Sequence, residues 1–562
     1  MAAALALYAA LAVTSLRRKS ATFDECAHLP AAYTHLALQD YRLSPDHPPL
    51  VKHLAALPLL LGGARFDRDD PMFAQRRQWE LGRRFLYRWN DADTLFLWGR
   101  SAIVLLGALL AVSVFLWARR LFGARAAALA LFLCVLNPEM LAHGQLVTTD
   151  LGAALFIFLA VVAFERLTEQ PTPARVALAG AALGAGLATK FSALGLLPIL
   201  AVLAVAALRG RKVRPAAAAA AAAGMAATAV LVIWAAYGFH ARFSADPAVD
   251  AAIEWQRLTP ENPAIAQPVL LARRLSLLPD PYLFGFFRFF KHSESRPAFL
   301  LGRRSEGGSW YYFPVTFLVK TPLALLALLG LAVATRARAP APLRPRAEAF
   351  VWLPVAVYLL MTLTRGIHIG HRHLLPIYPF LFVAAGRAAA WAFPGDRPWR
   401  DSLRAVPGIA VAALCAWQLG ATLWIHPHYL AYFNELVGGP RNGYRLLADS
   451  NLDWGQDLKE LRAYLERRGI TECKLSYFGT ADPEYHHVPC RLLPGYMLPR
   501  PRAVVSEVRT GEWLAVSATN LQGLYVEPEV EPLMALLRQR RPVDQVGYSI
   551  LIYRADFDWS AP

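Results

Sequence analysis

Acidic residues that lie next to long apolar runs are the first candidates for chemistry in this sequence. Asp24 and Glu25 follow the apolar run 1–16, and Asp150 stands directly before the run 151–165. A carboxylate at a membrane surface, partly removed from water, can act as a general base toward a hydroxyl group. The alternatives are a solvated pair or a helix cap for Asp24 and Glu25, and an N-cap for Asp150. Capping and catalysis by Asp150 are compatible, so all three are candidate catalytic residues.

Basic side chains lie near the same kind of position. The residues DHPP at 46–49 predict a helix start that would hold His47 and Lys52 near the level of lipid headgroups. Lys190 interrupts the apolar run 176–208, and a charge at the bilayer centre costs at least ~2.5 to 3.5 kcal/mol. The sequence therefore predicts a tight turn at Lys190 between two short spans, where the ammonium group can bind an anion.

Arg372 belongs to a basic segment that also contains His368, His371 and His373. Three histidines could suggest a metal, but their spacing matches no compact zinc motif. A phosphate-binding cluster is favoured instead. We therefore expect Lys190, Arg372, His47 and Lys52 to bind an anionic substrate group, without a metal or cofactor.

The elements that must position these residues are membrane helices. Hydrophobic residues make up 56% of the 562 positions, more apolar surface than a single soluble core can hide. Apolar runs of about spanning length predict eleven helices. They cover residues 1–16, 95–117, 125–138, 151–165, 174–189, 191–208, 216–237, 312–334, 349–364, 374–392 and 405–425.

The positive-inside rule orients this bundle. Five short loops that contain Arg or Lys fall on one side, at 119–125, 166–175, 209–214, 336–346 and 387–404. If they are cytoplasmic, the outer side holds the long segments 17–94 and 239–311, the loop 137–150 and everything after residue 425. Arg17, Arg18 and Lys19 break the rule, either because the start is misassigned or because they form a functional cationic patch.

Residues 426–562 are more polar and predict a separate small α/β domain outside the membrane. Asp453–Arg468 predicts an amphipathic helix with Asp453 as its N-cap. Strands are predicted at 474–478, 513–518 and 548–553, and a helix at 531–540. Cys473 and Cys490 could pair there if the compartment is oxidising. We thus predict a mainly α, polytopic membrane domain at 1–425 and an extracytoplasmic domain at 426–562.

The distribution of charge excludes some functions. The net charge of +17 comes from short loops, and no basic stretch is interleaved with stacking aromatics, so nucleic acid is not an expected partner. Transporters place their sites at mid-membrane on broken helices, whereas here the charges fall at the outer ends of spans. An interfacial enzyme is therefore favoured, and a lipid or glycan transporter remains the alternative.

At these residues the sequence resembles the GT-C superfamily of polyprenyl-phosphate-sugar-dependent glycosyltransferases, in the branch of protein O-mannosyltransferases and lipid A aminoarabinose transferases. The likeness covers most of the membrane region. The motifs that carry it are Asp24-Glu25, Pro48-Pro49, Thr149-Asp150, Thr189-Lys190 and the pattern GxRxLLPxYP at 370–379. Bacterial relatives are also similar in WYYFPVTFLVKTP (310–322), HPHYLAYFNELVGGP (426–440) and DSNLDWGQDL (449–458).

The resemblance implies a function and roles. A sugar would pass, with inversion, from a polyprenyl-phosphate carrier to a hydroxyl of a protein, lipid or glycan on the outer face of a bacterial inner membrane. The family's first-loop base corresponds to Asp24, with Glu25 beside it, and its second acid to Asp150. His47 stands before Pro-Pro, where this branch often has a lysine, and Lys52 is a further candidate for that role. No metal is required, because a monophosphate rather than a diphosphate leaves.

Overall fold

The structure is a computed structural model that describes residues 1–209, 214–293, 296–336, 345–363, 366–394, 401, 405–501 and 503–561. Parts of three loops predicted to be basic, 209–214, 336–346 and 387–404, lie outside these ranges. The helices up to the second long loop are α1 (Ala2–Leu16), α2 (Glu25–Leu38), α3 (Leu50–Leu61), α4 (Pro71–Ala74), α5 (Gln78–Tyr87), α6 (Ala92–Val135), α7 (Pro138–His143), α8 (Asp150–Glu169), α9 (Pro173–Leu187), α10 (Leu196–Leu208) and α11 (Pro215–Ala236). The later helices are α12 (Pro247–Ala251), α13 (Pro263–Arg274), α14 (Asp280–His292), α15 (Tyr312–Lys320), α16 (Leu323–Ala334), α17 (Pro345–Leu363), α18 (Tyr378–Ala392), α19 (Val406–Ile425), α20 (Leu458–Arg468), α21 (Ala518–Leu521) and α22 (Glu531–Arg538).

The predicted mainly α membrane bundle is confirmed. In the described ranges, seven helical segments are long and apolar enough to span a membrane, or eight if the bent pair α15 and α16 counts as one span. The helices α1, α3 and α9 are apolar but shorter. The count is below the predicted eleven because two predicted spans are short and two others lie within one helix.

That one helix is α6, which contains the predicted spans 95–117 and 125–138. It is interrupted at Gly123, where φ is 87° and ψ is 178°. This backbone conformation favours glycine, because a side chain would be strained there. The two segments were predicted as separate spans, and Gly123 lies between them, although helical structure continues on both sides of this residue.

The predicted span 312–334 is not one continuous helix. It is divided into α15 and α16, which are bent by 104° relative to each other. Pro322 lacks a backbone N–H and disfavours the helical conformation of Thr321, whose ψ is 131°. The Asn434 side-chain amide donates hydrogen bonds to the carbonyl oxygens of Leu318 (2.6 Å) and Thr321 (2.9 Å), so the broken end is satisfied.

The two long loops form ordered layers at one end of the bundle. In the first loop, α2 packs against α3 and α5, and α3 also packs against α6. Helix α3 begins at Leu50, directly after Pro48-Pro49 rather than with a proline in its first turn. In the second loop, α12, α13 and α14 are followed by the antiparallel hairpin β1 (Pro297–Leu300) and β2 (Arg303–Glu306).

A small mixed sheet forms the centre of the C-terminal region. Its strands are β3 (Cys473–Ser476), β4 (Cys490–Leu492), β6 (Trp513–Ser517), β7 (Asp544–Val546) and β8 (Ile550–Arg554), in the order β4-β3-β6-β8-β7. The short strands β5 (Glu507–Val508) and β9 (Trp559–Ser560) pair separately. Cys473 and Cys490 form a disulfide between β3 and β4, which confirms that pairing. The exact boundary predicted at residue 425 stays a prediction.

Ion pairs dock the C-terminal domain onto the membrane region. The Lys19 ammonium lies 2.5 Å from a carboxylate oxygen of Asp457, which is fully buried. Arg18 and Glu460 form a second pair at 2.7 Å. Two of the three cations that break the positive-inside rule, Arg18 and Lys19, are therefore structural partners of acids in the C-terminal domain.

Candidate active site

Four side chains of alternating charge meet at the end of the bundle that carries the loops. Arg372 Nη1 donates a 2.9 Å hydrogen bond to Asp24 Oδ2 and lies 3.6 Å from Asp150 Oδ2. Lys190 Nζ donates a 2.5 Å hydrogen bond to Asp150 Oδ1. The structure thus brings together four of the residues predicted from sequence.

Each of the four lies where a helix begins or is interrupted. Asp24 occupies the N-cap position of α2, and Asp150 is the first residue of α8. Lys190 lies between α9 and the 3-10 segment Phe191–Gly195, as the predicted turn requires. Arg372 lies in the 3-10 segment His371–Ile377, ahead of α18. Because helix ends lie at the edge of the bundle, these charges avoid its apolar interior.

Neither acid uses its side chain as a helix cap. Asp24 makes no capping hydrogen bond with its carboxylate. Asp150 is not the N-cap of α8, since Thr149 occupies that position and also lacks a side-chain capping bond. The capping explanation for Asp150 is therefore wrong, and both carboxylates are instead directed at cations.

The surroundings of Asp24 keep it ionised. Burial alone would raise the pKa of Asp24, but the nearby Arg372, His28 and His47 lower it below its usual value. The carboxylate is therefore negatively charged at neutral pH and has proton-accepting capacity. Its hydrogen bond to Arg372 makes it a weak base for as long as that contact lasts.

Asp24 and Arg372 open into a cavity with a volume of about 480 Å³. Residues from both long loops, the ends of the membrane helices and the C-terminal domain line it. Its basic residues are His28, His47, Lys190, Arg288, His292, Arg296, Arg372 and His373, and its acidic residues are Asp24, Asp46 and Asp449. Arg372 Nε and His373 Nε2 are buried and have no hydrogen-bond partner among the described residues.

Glu25 lies behind this cavity and not on its wall. Its carboxylate is fully buried and accepts hydrogen bonds from Arg100, at 2.6 and 2.9 Å. Thr22 and the backbone N–H of Val147 supply further bonds of 2.8 and 2.9 Å. Burial alone would raise the pKa of Glu25, but these partners, Arg100 foremost, hold it below its usual value. Glu25 is thus placed to stabilise the loop that carries Asp24.

His47 and Lys52 have different positions. His47 lines the cavity, and its ring lies 4.8 Å from the ring of His28. Lys52 is not among the lining residues of the described cavity, because its Nζ is buried and donates to the carbonyl oxygen of Ser44 at 2.9 Å. Burial lowers the pKa of Lys52 to about 7. Lys52 therefore supports the turn that precedes His47.

The three histidines around Arg372 point in different directions. His371 is buried and its Nε2 lies 2.7 Å from the Tyr378 hydroxyl. His368 packs beside Tyr312, with ring centres 5.2 Å apart. Only His373 among these three lines the large cavity of the described structure. In the described ranges, no group of three or more His, Cys, Asp and Glu residues is arranged to hold a metal ion.

The segment DSNLDW supplies site residues that the sequence did not single out. Trp454 and Asp449 line the cavity, and the guanidinium carbon of Arg372 lies 4.1 Å from the centre of the Trp454 ring. The prediction that Asp453 caps an amphipathic helix is wrong, since α20 begins at Leu458. Asp453 is fully buried and accepts a 2.9 Å hydrogen bond from the backbone N–H of Thr519. The similarity of this segment to bacterial relatives was the available signal.

Arg288, His292 and Arg296 were also missed. The first two lie on α14, and all three contribute to the cavity from the second long loop. Arg288 Nε lies 3.9 Å from Asp46 Oδ1. The contact between α14 and the first loop could not be predicted from the sequence, because it depends on how both loops fold.

A small apolar pocket of about 40 Å³ adjoins the cavity at Lys190 and His373. Its other walls include Phe289, Phe313 and Ile367. The α17 residues Tyr358, Met361 and Thr362 also contribute, and α17 is one of the helices that can span a membrane. Lys190 and His373 thus lie between a polar cavity and an apolar recess beside a membrane helix.

These features define a polytopic membrane protein with a charged cavity at the end of its helix bundle. Residues 97–234, which run from α6 to α11 and include Asp150 and Lys190, match the family described as dolichyl-phosphate-mannose-protein mannosyltransferase. The match does not extend over the rest of the chain, which includes Asp24 and Arg372.

Solved structures also show likeness. The chain is 15% identical to ArnT from Cupriavidus metallidurans in the apo state, with 98% of this chain and 97% of that chain covered and a TM-score of 0.47. It is 14% identical to the same protein bound to undecaprenyl phosphate, with 98% of this chain and 97% of that chain covered and a TM-score of 0.47. It is 12% identical to the Archaeoglobus fulgidus oligosaccharyltransferase in complex with Zn and sulfate, with 74% of this chain and 53% of that chain covered and a TM-score of 0.41. A comparison with curated proteins finds no match.

Proposed function

We propose that this protein is a glycosyltransferase that moves a sugar from a polyprenyl-phosphate carrier to a hydroxyl group of an acceptor, with inversion, on the extracytoplasmic face of a bacterial inner membrane. The observation that carries the proposal is the chain of charges from Asp24 through Arg372 and Asp150 to Lys190. It combines a carboxylate that faces a cavity with two cations suited to a phosphate. The family match favours this enzyme over the alternative of a transporter.

The donor would bind with its phosphate near Lys190, Arg372 and His373. Arg372 Nε and His373 Nε2 have no partner among the described residues; Arg372 Nε can donate to a phosphate oxygen, and His373 Nε2 can do so in the tautomer that carries its proton there. The apolar recess beside α17 would receive the first part of the polyprenyl chain. His47, across the cavity, is a further candidate for the phosphate or the sugar.

Asp24 would act as the general base. It takes the proton from the acceptor hydroxyl while the hydroxyl oxygen attacks the anomeric carbon. The bond from that carbon to the phosphate oxygen breaks, and the electron pair leaves with the polyprenyl monophosphate. Lys190 and Arg372 stabilise the charge that develops on this leaving group. A single displacement of this kind inverts the anomeric centre.

Donor binding would also prepare the base. Arg372 is bonded to Asp24, which lowers the basicity of the carboxylate. A carrier phosphate competes for the same guanidinium and weakens that contact. Asp150, buried behind Lys190 and Arg372, would orient both cations rather than touch the acceptor.

Replacement of Asp24 tests the proposal. The donor is obtained from cells that lack this chain, in which the unused polyprenyl-phosphate sugar accumulates and is identified by mass spectrometry. Asp24→Asn should lower transfer by about a hundredfold or more, since a general base contributes ~10² to 10⁴ in rate. Binding of undecaprenyl phosphate should stay near that of the wild type.

Asp46→Asn is the matched control, because Asp46 also lines the cavity and also lies beside an arginine. It should reduce transfer far less than Asp24→Asn. Transfer by Asp24→Asn above about a tenth of the wild-type rate would show that the base is another residue.

A further inference from the structure

A group of five aromatic residues lines the cavity or stands directly behind its surface. Phe23 and Trp79 come from the first long loop, and Phe478, Tyr496 and Tyr525 come from the C-terminal domain. The ring of Phe23 lies 5.3 Å from that of Phe478 and 5.9 Å from that of Tyr496, with interplanar angles of 24° and 8°. We call these five residues the aromatic wall.

The aromatic wall is open to the cavity and carries polar groups. Phe23, Trp79, Tyr496 and Tyr525 are partly exposed, whereas Phe478 is buried behind them. Asp449 lies on the same wall and accepts a 2.7 Å hydrogen bond from the Tyr525 hydroxyl. Gln78 also lines the cavity. Flat apolar faces next to hydrogen-bonding groups are typical of a ligand site.

The position of the wall relative to Asp24 is fixed by backbone contacts. Phe23, the residue before Asp24, donates from its N–H to the carbonyl oxygen of Trp454 at 2.8 Å. Its own carbonyl oxygen accepts a 2.9 Å hydrogen bond from the Thr480 hydroxyl. The C-terminal domain therefore holds both the wall and the segment that carries the proposed base.

The wall and the proposed donor site are formed by different parts of the chain. The recess proposed for the carrier is lined by residues of α15 and α17 together with Phe289 of the second long loop, and it adjoins the cavity at Lys190 and His373. The wall is formed by loop and C-terminal residues next to Asp24. In an in-line displacement the acceptor hydroxyl approaches opposite the leaving phosphate, so the wall is the surface available to the acceptor.

We propose that the aromatic wall binds a pyranose ring of the acceptor, so that the acceptor is a carbohydrate. This inference rests on the proposed function. The C–H face of a pyranose packs against aromatic rings, while its hydroxyls bond to groups such as Asp449 and Gln78. An acyl chain is disfavoured because it would need a purely apolar groove continuous with the membrane, whereas a peptide acceptor is one of the outcomes that the experiment distinguishes.

Saturation-transfer NMR on the full chain in lipid nanodiscs tests this assignment. The probes are the methyl glycosides of glucose, mannose, galactose and N-acetylglucosamine, and a serine-containing peptide. We expect saturation of the ring C–H protons of at least one glycoside. Tyr496→Ala and Trp79→Ala should reduce that signal about fivefold or more, whereas Tyr496→Phe, which keeps the ring face, should retain it.

Two controls separate this site from the donor site. Trp559→Ala removes a partly exposed aromatic ring of the C-terminal domain that is absent from the described lining, and it should leave glycoside binding unchanged. Lys190→Ala should weaken binding of undecaprenyl phosphate but not of the glycoside.

Glycoside binding without undecaprenyl phosphate binding in the wild type would overturn the proposed function alone. Absence of glycoside binding, binding of the peptide instead, or equal loss in Trp559→Ala would overturn the carbohydrate assignment.

Discussion

The Trp454 ring covers the guanidinium of Arg372, with 4.1 Å between the guanidinium carbon and the ring centre. The two residues belong to different parts of the fold, since Arg372 precedes a membrane helix and Trp454 lies in the C-terminal domain, ahead of α20. The contact fixes the plane of the guanidinium, which bears on both Asp24 and Asp150. The C-terminal domain is therefore part of the site.

Trp454→Leu should weaken binding of undecaprenyl phosphate by about 2- to 30-fold, which corresponds to ~0.5 to 2 kcal/mol for a cation–π contact. Leucine keeps apolar volume but removes the π face, and Trp454→Phe should recover most of the affinity. Titration in nanodiscs measures both. Trp310→Ala, at an exposed position, is the control and should bind as the wild type does. Equal affinity in Trp454→Leu and the wild type would contradict the positioning role.

Glu25→Gln should destabilise the fold. The Arg100 guanidinium and the Glu25 carboxylate are both buried, and loss of one partner of such a pair costs about 3 to 5 kcal/mol. Thermal unfolding of the purified protein should show a clear fall in Tm. Glu460→Gln breaks the pair with Arg18, whose side chain is 53% exposed, and should cost only about 0 to 1 kcal/mol.

A different result would restore Glu25 to the catalytic residues. If Glu25→Gln melts like the wild type but loses transfer activity, the carboxylate has a direct role. The double variant Glu25→Met/Arg100→Met should be more stable than Glu25→Gln, because it leaves no unpaired buried charge.

Local patterns in the sequence were sufficient to predict the bundle and to place four candidate site residues at the ends of its helices. Spanning helices are recognised by length and hydropathy, and charges are excluded from the hydrocarbon core, so Asp24, Asp150 and Lys190 had to lie at helix ends. Arg372 was found through its basic segment. The four side chains lie close together because they share one end of the bundle. Which of them pairs with which could not be predicted.

Contacts between distant segments were beyond sequence reasoning. Asp453 resembled a helix cap because the apolar periodicity of α20 follows it, yet its partner Thr519 is 66 residues away. Lys19 looked anomalous because its partner Asp457 is 438 residues away. The break after α15 was missed, since the apolar composition continues through Pro322. In each case the deciding interaction is tertiary.

The C-terminal domain is expected outside and the segment before α11 inside. Single cysteines at Glu529 and Ala216, both exposed positions, report on the two sides. In intact cells an impermeant maleimide should label Glu529→Cys, whereas Ala216→Cys should react only after permeabilisation. The reverse pattern would overturn the orientation and the extracytoplasmic site. The unmodified chain controls for Cys26, Cys134 and Cys415.

The pH dependence of transfer should report the pairing of Asp24 with Arg372. A carboxylate whose pKa is lowered stays ionised until the pH falls below its usual value of ~3.9. In the wild type, kcat/KM should therefore not decline through protonation of Asp24 between about pH 7 and 5. Arg372→Ala removes the group that lowers the pKa of Asp24 most and leaves burial, which raises that pKa. The fall of kcat/KM on the acidic side of the pH profile, its acid limb, should therefore move to higher pH. Lys190→Ala, which bears on Asp150 instead, should leave the limb in place. An unchanged limb in Arg372→Ala would show that the group titrating in the free enzyme is not Asp24.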